Sequence, residues 1–145
     1  MIKNKNIFIT GASSGIGQAI AIEVAKQGAN VLIHYRKNED GASKTLQKVN
    51  KYAKGEIFAA DLTKPEEVKK LFDKIKQKGY QTLDALVNNV GEARSGEFDD
   101  LEIWNHQLSN IFLSQVYTSN EFIKFNNSDN LRKIVNISSV YGMLV

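Results

Sequence analysis

Residues 10–17, Thr-Gly-Ala-Ser-Ser-Gly-Ile-Gly, constrain this chain more than any other stretch. The apolar run Ile7-Phe8-Ile9 comes before them, short and bulky enough for a buried strand. After them Ile16, Ala19, Ile20 and Val24 recur at helical steps. A glycine turn between a strand and a helix has a physical logic. Gly11 permits a sharp backbone turn. Gly15 carries no side chain, so a phosphate can approach the backbone. Gly17 lets the helix pack close to the strand. Ser13, Ser14 and the following amides then sit at a helix N-terminus, whose free N–H groups attract a pyrophosphate.

The spacing is Gly-x-x-x-Gly-x-Gly, not the Gly-x-Gly-x-x-Gly of most two-domain dehydrogenases. No Lys-Ser or Lys-Thr follows the last glycine, which excludes a P-loop for ATP or GTP.

Strands and helices alternate along the whole chain. Strands are expected at about Asn6–Thr10, Val31–Tyr35, Glu56–Ala60, Leu83–Val87 and Lys133–Ile137. Helices are expected from Gly15 to Gln27, after Asn38 or Asp40, and from Pro65 to before Gly79. A long helix is expected at about 101–125. Thr63-Lys64-Pro65-Glu66 reads as a capping box at the head of the third. The pattern predicts an α/β fold: one Rossmann-type, doubly wound parallel sheet over residues 1–145, with right-handed crossovers. The later strands of a complete sheet of this kind have no counterpart here. Met1 reads as a true start, so the chain is expected to be an N-terminal portion of a longer enzyme or a truncated gene product.

Bulk properties close off other classes. The 145 residues contain no cysteine and two histidines, which leaves no thiolate or His-rich metal site. No apolar run approaches a membrane span, and residues 1–6 lack the apolar core of a signal peptide, so a cytoplasmic protein is expected. The net charge of +3 is spread over lysines on helix faces, with no nucleic-acid motif beside it.

Ligands bind such sheets beyond the carboxyl ends of the strands. At the end of the second strand stand Tyr35 and Arg36, where NAD-binding proteins usually carry an acid. Guanidinium grips a 2′-phosphate that a carboxylate would repel, which favours NADP over NAD; the alternative is a solvated surface cation. Asp61 ends the third strand, as an adenine acceptor or as a helix cap. Asn88 and Asn89 follow the fourth, as cofactor contacts or as a structural turn. Ser138 and Ser139 end the fifth. Asn110 sits inside the long helix, facing inward to hold water or outward to solvent. His106 reads as a surface residue, and Trp104 and Phe112 as core.

Together these stretches resemble the short-chain dehydrogenase/reductase family: TGASSGIG at 10–17, DL at 61–62, NNVG at 88–91, Asn110 in SNIF, and IVNISS at 134–139. The resemblance covers the whole chain and is nearest to the 3-oxoacyl-acyl-carrier-protein reductases and related sugar or steroid reductases. It implies that Gly11, Ser13, Ser14, Gly15, Ile16 and Gly17 hold the cofactor. Asp61 and Leu62 would hold the adenine, and Asn88, Val90 and Gly91 would lie along the ribose and nicotinamide. Asn110 would support a proton-relay water, and Ser139 would orient a substrate carbonyl. It also implies a small-molecule carbonyl substrate and a homo-oligomer. Val90 replaces the more usual alanine. The family's Tyr-x-x-x-Lys acid has no match: Tyr141 follows Ser139 too soon, and Val145 stands where the lysine would be. A non-catalytic dinucleotide-binding module, or a subunit completed by another chain, is the alternative function.

Overall fold

The computed structural model describes residues 2–92, 95–125 and 131–139. Five parallel strands form one sheet: β1 (Asn6–Ile9), β2 (Asn30–Tyr35), β3 (Gly55–Ala59), β4 (Ala85–Asn88) and β5 (Lys133–Asn136), in the order β3-β2-β1-β4-β5. The chain winds outward from β1 through β2 to β3, then crosses back to β4 and on to β5. The order therefore reverses between β1 and β4, which opens a crevice above their carboxyl ends. Register runs Ile7–Val31 and Ile9–Ile33 on one side of β1, and Ile7–Ala85 and Ile9–Val87 on the other.

Side chains alternate across the sheet. Ile7, Ile9, Val31, Ile33 and Val87 face α1 (Gly15–Lys26) and α2 (Glu39–Val49). Phe8, Leu32, Phe58 and Leu86 face α3 (Pro65–Gln77) and α5 (Ser114–Phe125). Val68, Leu71, Phe72 and Ile75 of α3 are buried as their spacing predicts. Phe72 joins Phe8 to Phe125 by two edge-on ring contacts. At the opposite end of the sheet, the Asp84 carboxylate accepts from Lys5 Nζ and from the Asn6 amide, both at 2.8 Å, tying β1 to β4.

Several local expectations are corrected. The face of α1 turned to the sheet is Gly17, Ala21 and Ala25, all small, while Ile16 is exposed and Ile20 and Val24 are only half-buried. Small residues prevail because the helix starts hard against the turn that launches it. The capping box does not form. Lys64 is the N-cap of α3, and the Thr63 hydroxyl instead donates to Asp61 Oδ1 at 2.7 Å. Glu67, one residue later than expected, reaches back to accept from the Asp61 amide at 2.8 Å. The long helix is three segments: α4 (Leu101–Gln107), a π-helical stretch (Leu108–Leu113) and α5. Trp104 and Phe112 are exposed, not core, because they lie on the side of this helix turned away from the sheet. His106 is half-buried, not a surface residue.

Candidate functional site

The glycine turn is held from below on both sides. Gly11 adopts φ +64°, so the chain reverses direction there. Its N–H donates to Nδ1 of His34 at 3.1 Å, and the Ala12 N–H donates to the His34 carbonyl at 2.9 Å. On the β4 side, Asn89 Nδ2 donates to the carbonyls of Thr10 and Gly11 at 3.1 and 3.2 Å. The Thr10 hydroxyl accepts from the amides of Asn89 and Val90 at 2.9 and 3.1 Å. The stem of the turn is therefore bonded inward, toward the protein.

The crest differs. Ser14 is the N-cap of α1 but makes no side-chain cap bond, and the first turn carries no acid. Its N–H groups are left facing outward. Gly15 sits at φ +55°, and a Cβ there would meet nothing within 4 Å. Gly17 is the reverse: a Cβ would stand 2.5 Å from both Asn89 Nδ2 and the Gly11 carbonyl oxygen. The close approach that Gly17 permits is thus to the turn itself and to Asn89, more than to the strand.

The carboxyl ends of the strands complete a cleft of about 620 Å³. Of the residues singled out in the sequence, Gly11, Ser13, Ser14, Ile16, Tyr35, Arg36, Asp61, Leu62, Asn89, Val90, Gly91 and Asn110 line it. Gly15 and Gly17 shape the turn without lining the cleft. Asn88 is buried and turns the other way, its Nδ2 donating to Ser119 Oγ at 3.0 Å and Asn136 Oδ1 at 2.9 Å, which binds β4 to α5 and β5. Ser139 lies past the end of β5, exposed and outside the cleft lining. Tyr141 falls outside the described residues.

Charge is concentrated at one wall. Arg36 donates from one guanidinium nitrogen to Asn110 Oδ1 at 3.0 Å and from another to Glu92 Oε2 at 3.1 Å. Burial pushes the Asp61 carboxyl up, but bonds from the Thr63 hydroxyl and amide, with Arg36 and Lys64 nearby, hold it below its ordinary value. It is thus an anion at neutral pH and an acceptor, as an amino group beside it requires. It is not the cap of α3. The Tyr35 phenol is raised by burial and by Glu39.

Asn110 sits within the π-helical stretch and is the buried residue of it. Its Nδ2 donates to the His106 carbonyl at 3.0 Å. Below it the Ser114 hydroxyl donates to the Asn110 carbonyl and the Thr118 hydroxyl to the Ser114 carbonyl, both at 2.7 Å. Such side-chain bonds to the preceding turn bend a helix, and here they turn Asn110 into the cleft.

Lys37, next to Arg36, lines the cleft as well, and sequence reasoning missed the other five lining residues: His34, Asn38, Thr63, Glu92 and Ser114. His34 had a usable signal, a polar residue inside the apolar run Val31–Tyr35. Among the described residues no cluster of acids and imidazoles suits a metal, and no helix is long and apolar enough to cross a membrane.

A parallel sheet with a glycine turn at its point of reversal, an open helix N-terminus and a polar cleft defines a dinucleotide-binding Rossmann fold. The chain belongs to the short-chain dehydrogenase family, whose model matches residues 5–145. An uncharacterized oxidoreductase of Bacillus subtilis, YvrD, is 34% identical over 98% of this chain and 54% of its own length. The landomycin C-6 ketoreductase LanV with bound NADP and rabelomycin superposes with a TM-score of 0.89, at 27% identity, over 99% of this chain and 61% of its own. The NADH-dependent reductase A1-R′ of alginate metabolism superposes at 0.85, with 27% identity, over 96% of this chain and 60% of its own. The chain spans about half the length of the curated relatives it matches.

Proposed function

We propose that this chain binds NADP in its cleft and forms the cofactor-binding part of a reductase acting on small carbonyl compounds, 3-oxoacyl compounds among them. The observation that carries the reading is Arg36 at the end of β2, in the cleft wall and without a carboxylate at Tyr35. The NADP held by the similar ketoreductase LanV supports it.

The residues fit the cofactor. The open space over Gly15 admits a phosphate to the backbone. Asp61 and Leu62 flank the adenine, with the carboxylate as acceptor. Arg36 pairs with the 2′-phosphate by exchanging its ion pair with Glu92 and its bond to Asn110 for bonds to the phosphate oxygens. Val90 and Gly91 border the ribose and nicotinamide. Asn88 acts there through the strand end it secures. When bound, the reduced nicotinamide supplies a hydride to the carbonyl carbon. Asn110 holds a water for proton relay, and Ser139 orients the carbonyl oxygen. We further propose a cytoplasmic protein that forms a homo-oligomer, the association supported by the exposed apolar stripe of Leu108, Phe112, Val116 and Ile123.

The test is a fluorescence titration of the chain with NADPH and NADH, before and after Arg36→Asp. Tighter binding of NADPH, lost in the variant, is the expected result. Equal affinities, or a variant that binds NADPH normally, overturn the assignment.

A further inference from the structure

His34 is a buried polar side chain in a strand that is otherwise apolar. It is 2% exposed, with the edge of Phe8 6.4 Å away between ring centroids. A buried imidazole must satisfy both ring nitrogens, and this one does so with two different elements. Nδ1 lies 3.1 Å from the Gly11 N–H, so it accepts. The proton is therefore on Nε2, which donates to the Ala60 carbonyl at 3.0 Å. The geometry fixes a single neutral tautomer.

The consequence concerns the glycine turn. Gly11 and Ala12 have consecutive N–H groups, and both point to the same residue, one to its ring and one to its carbonyl. Their inward orientation forces the chain to turn at Gly11 with positive φ and carry the next residues over the crest. Asn89 holds the carbonyls of the same stem from the opposite side. The turn is thus clamped between β2 and β4 before any ligand arrives, and a pre-shaped turn loses less entropy on binding.

We infer that His34 is a positioning residue for the dinucleotide turn: its Nδ1 lone pair fixes the Gly11 amide, and thereby the outward aim of the α1 amides. This rests on the reading of that turn as a phosphate site. His34 does not touch the cofactor. The charged groups nearest the ring are Asp61, which favours its protonated form, and Arg36, which opposes it. Protonation of Nδ1 removes the acceptor, so the clamp requires the neutral ring.

Two near-isosteric variants separate the two nitrogens. His34→Asn keeps an acceptor at the position of Nδ1 and loses the donor to Ala60. His34→Gln keeps a donor near the position of Nε2 and loses the acceptor. Each deletes one buried bond and the same ring, so a merely structural role predicts similar damage. The positioning role predicts an asymmetry. NADPH affinity of the Asn chain stays within about threefold of wild type, and that of the Gln chain falls about tenfold or more, one hydrogen bond's worth. Equal weakening overturns the role.

A measurement on the wild-type chain needs no variant: a scalar coupling across the hydrogen bond between the Gly11 amide nitrogen and His34 Nδ1. Its presence supports the clamp. Normal NADPH binding with no such coupling overturns the role of His34 alone. Coupling without any NADPH binding overturns the cofactor reading, and the positioning role with it, while the hydrogen bond itself stands.

Discussion

Arg36 spans the wall of the cleft to meet Asn110, 74 residues away in sequence, with its guanidinium 3.0 Å from the amide oxygen. The bond joins the end of β2 to the π-helical stretch, and the second bond to Glu92 joins it to the loop after β4. One cation therefore links the two halves of the doubly wound sheet at the place where a dinucleotide would lie between them.

Cofactor selection follows from that arrangement. Arg36→Asp removes the phosphate partner and adds a like charge. The side chain is 37% exposed, so screening trims the usual charge-assisted bond to about 1–2 kcal/mol. NADPH affinity should fall about five- to thirtyfold, with NADH little changed. Glu92→Gln should act oppositely. The carboxylate competes with phosphate for the same guanidinium, and an exposed pair is worth about 0.2–1 kcal/mol. Isothermal titration in low salt should show NADPH binding up to about fivefold tighter. A Glu92→Gln chain that binds NADPH more weakly would show that Glu92 helps hold Arg36 for the ligand.

The two glycines of the crest should separate binding from folding. Gly15→Val places its side chain in open space, but at φ +55°, a strain of about 1–2 kcal/mol for an L-residue. Thermal melting should drop modestly while NADPH binding disappears. Gly17→Val drives a side chain into Asn89 and the Gly11 carbonyl. Backbone cannot yield as a flexible side chain can, so both melting temperature and binding should collapse. Melting and titration of the two chains side by side decide it. Normal binding by the Gly15 variant would make the turn structural only.

Stability should fall in mild acid because of His34. Burial lowers its pKa to about 4 from 6.5, against the opposing pull of the Ala60 carbonyl and Asp61. Between those values the unfolded chain binds the proton and the folded chain does not. Stability therefore rises with pH across that window, is fully present above 6.5, and is lost as pH falls toward 4. The contribution is about 3 kcal/mol. Urea unfolding from pH 4 to 7 should show the slope in wild type and a flatter profile in His34→Asn. An unchanged slope in the variant would assign the acid sensitivity to other groups.

How much of this was written in the sequence depends on range. The strands were legible because each is a short apolar run bounded by polar or glycine residues, but a run apolar on both sides, such as Ile7-Phe8-Ile9, does not say which helices cover which face. The glycine turn was legible because its chemistry is local. Thr63 misled because its capping preference is real, and only the neighbouring Asp61 side chain diverts its hydroxyl. The π-helical stretch was not legible because it depends on which backbone N–H pairs with which carbonyl, which the side-chain pattern of residues 101–125 does not encode. His34 and Glu92 acquired their places from contacts 23 and 56 residues distant, which no local pattern encodes. Asn88 was open between cofactor and structure. Its amide nitrogen donates to Ser119 and Asn136, and the residues that line the cleft at that strand end are its neighbours.

The 145-residue chain should bind NADPH without reducing ketones, and it should self-associate. Reduction requires a proton donor near neutral pH. Two phenols among the described residues move the wrong way: Tyr35 is raised, and burial beside Glu56 pushes Tyr80 up to about 12. Neither is an acid for a carbonyl oxygen. Association follows from surface. Among the described residues β5 pairs with β4 alone, and Ile134 and Val135 are 38% and 47% exposed on that open edge. An open edge with apolar side chains recruits another strand. On the neighbouring helix, Leu108, Phe112, Val116 and Ile123 add an uncovered stripe. Light scattering at rising concentration should show dimers or larger species. Val135→Lys, a charge on the edge, should shift them toward monomer without weakening NADPH binding, because β5 does not line the cleft. A monomer at all concentrations would mean that the edge is already protected. Turnover of any ketone in a panel with NADPH would mean that another group supplies the proton, with Tyr141 the first to mutate.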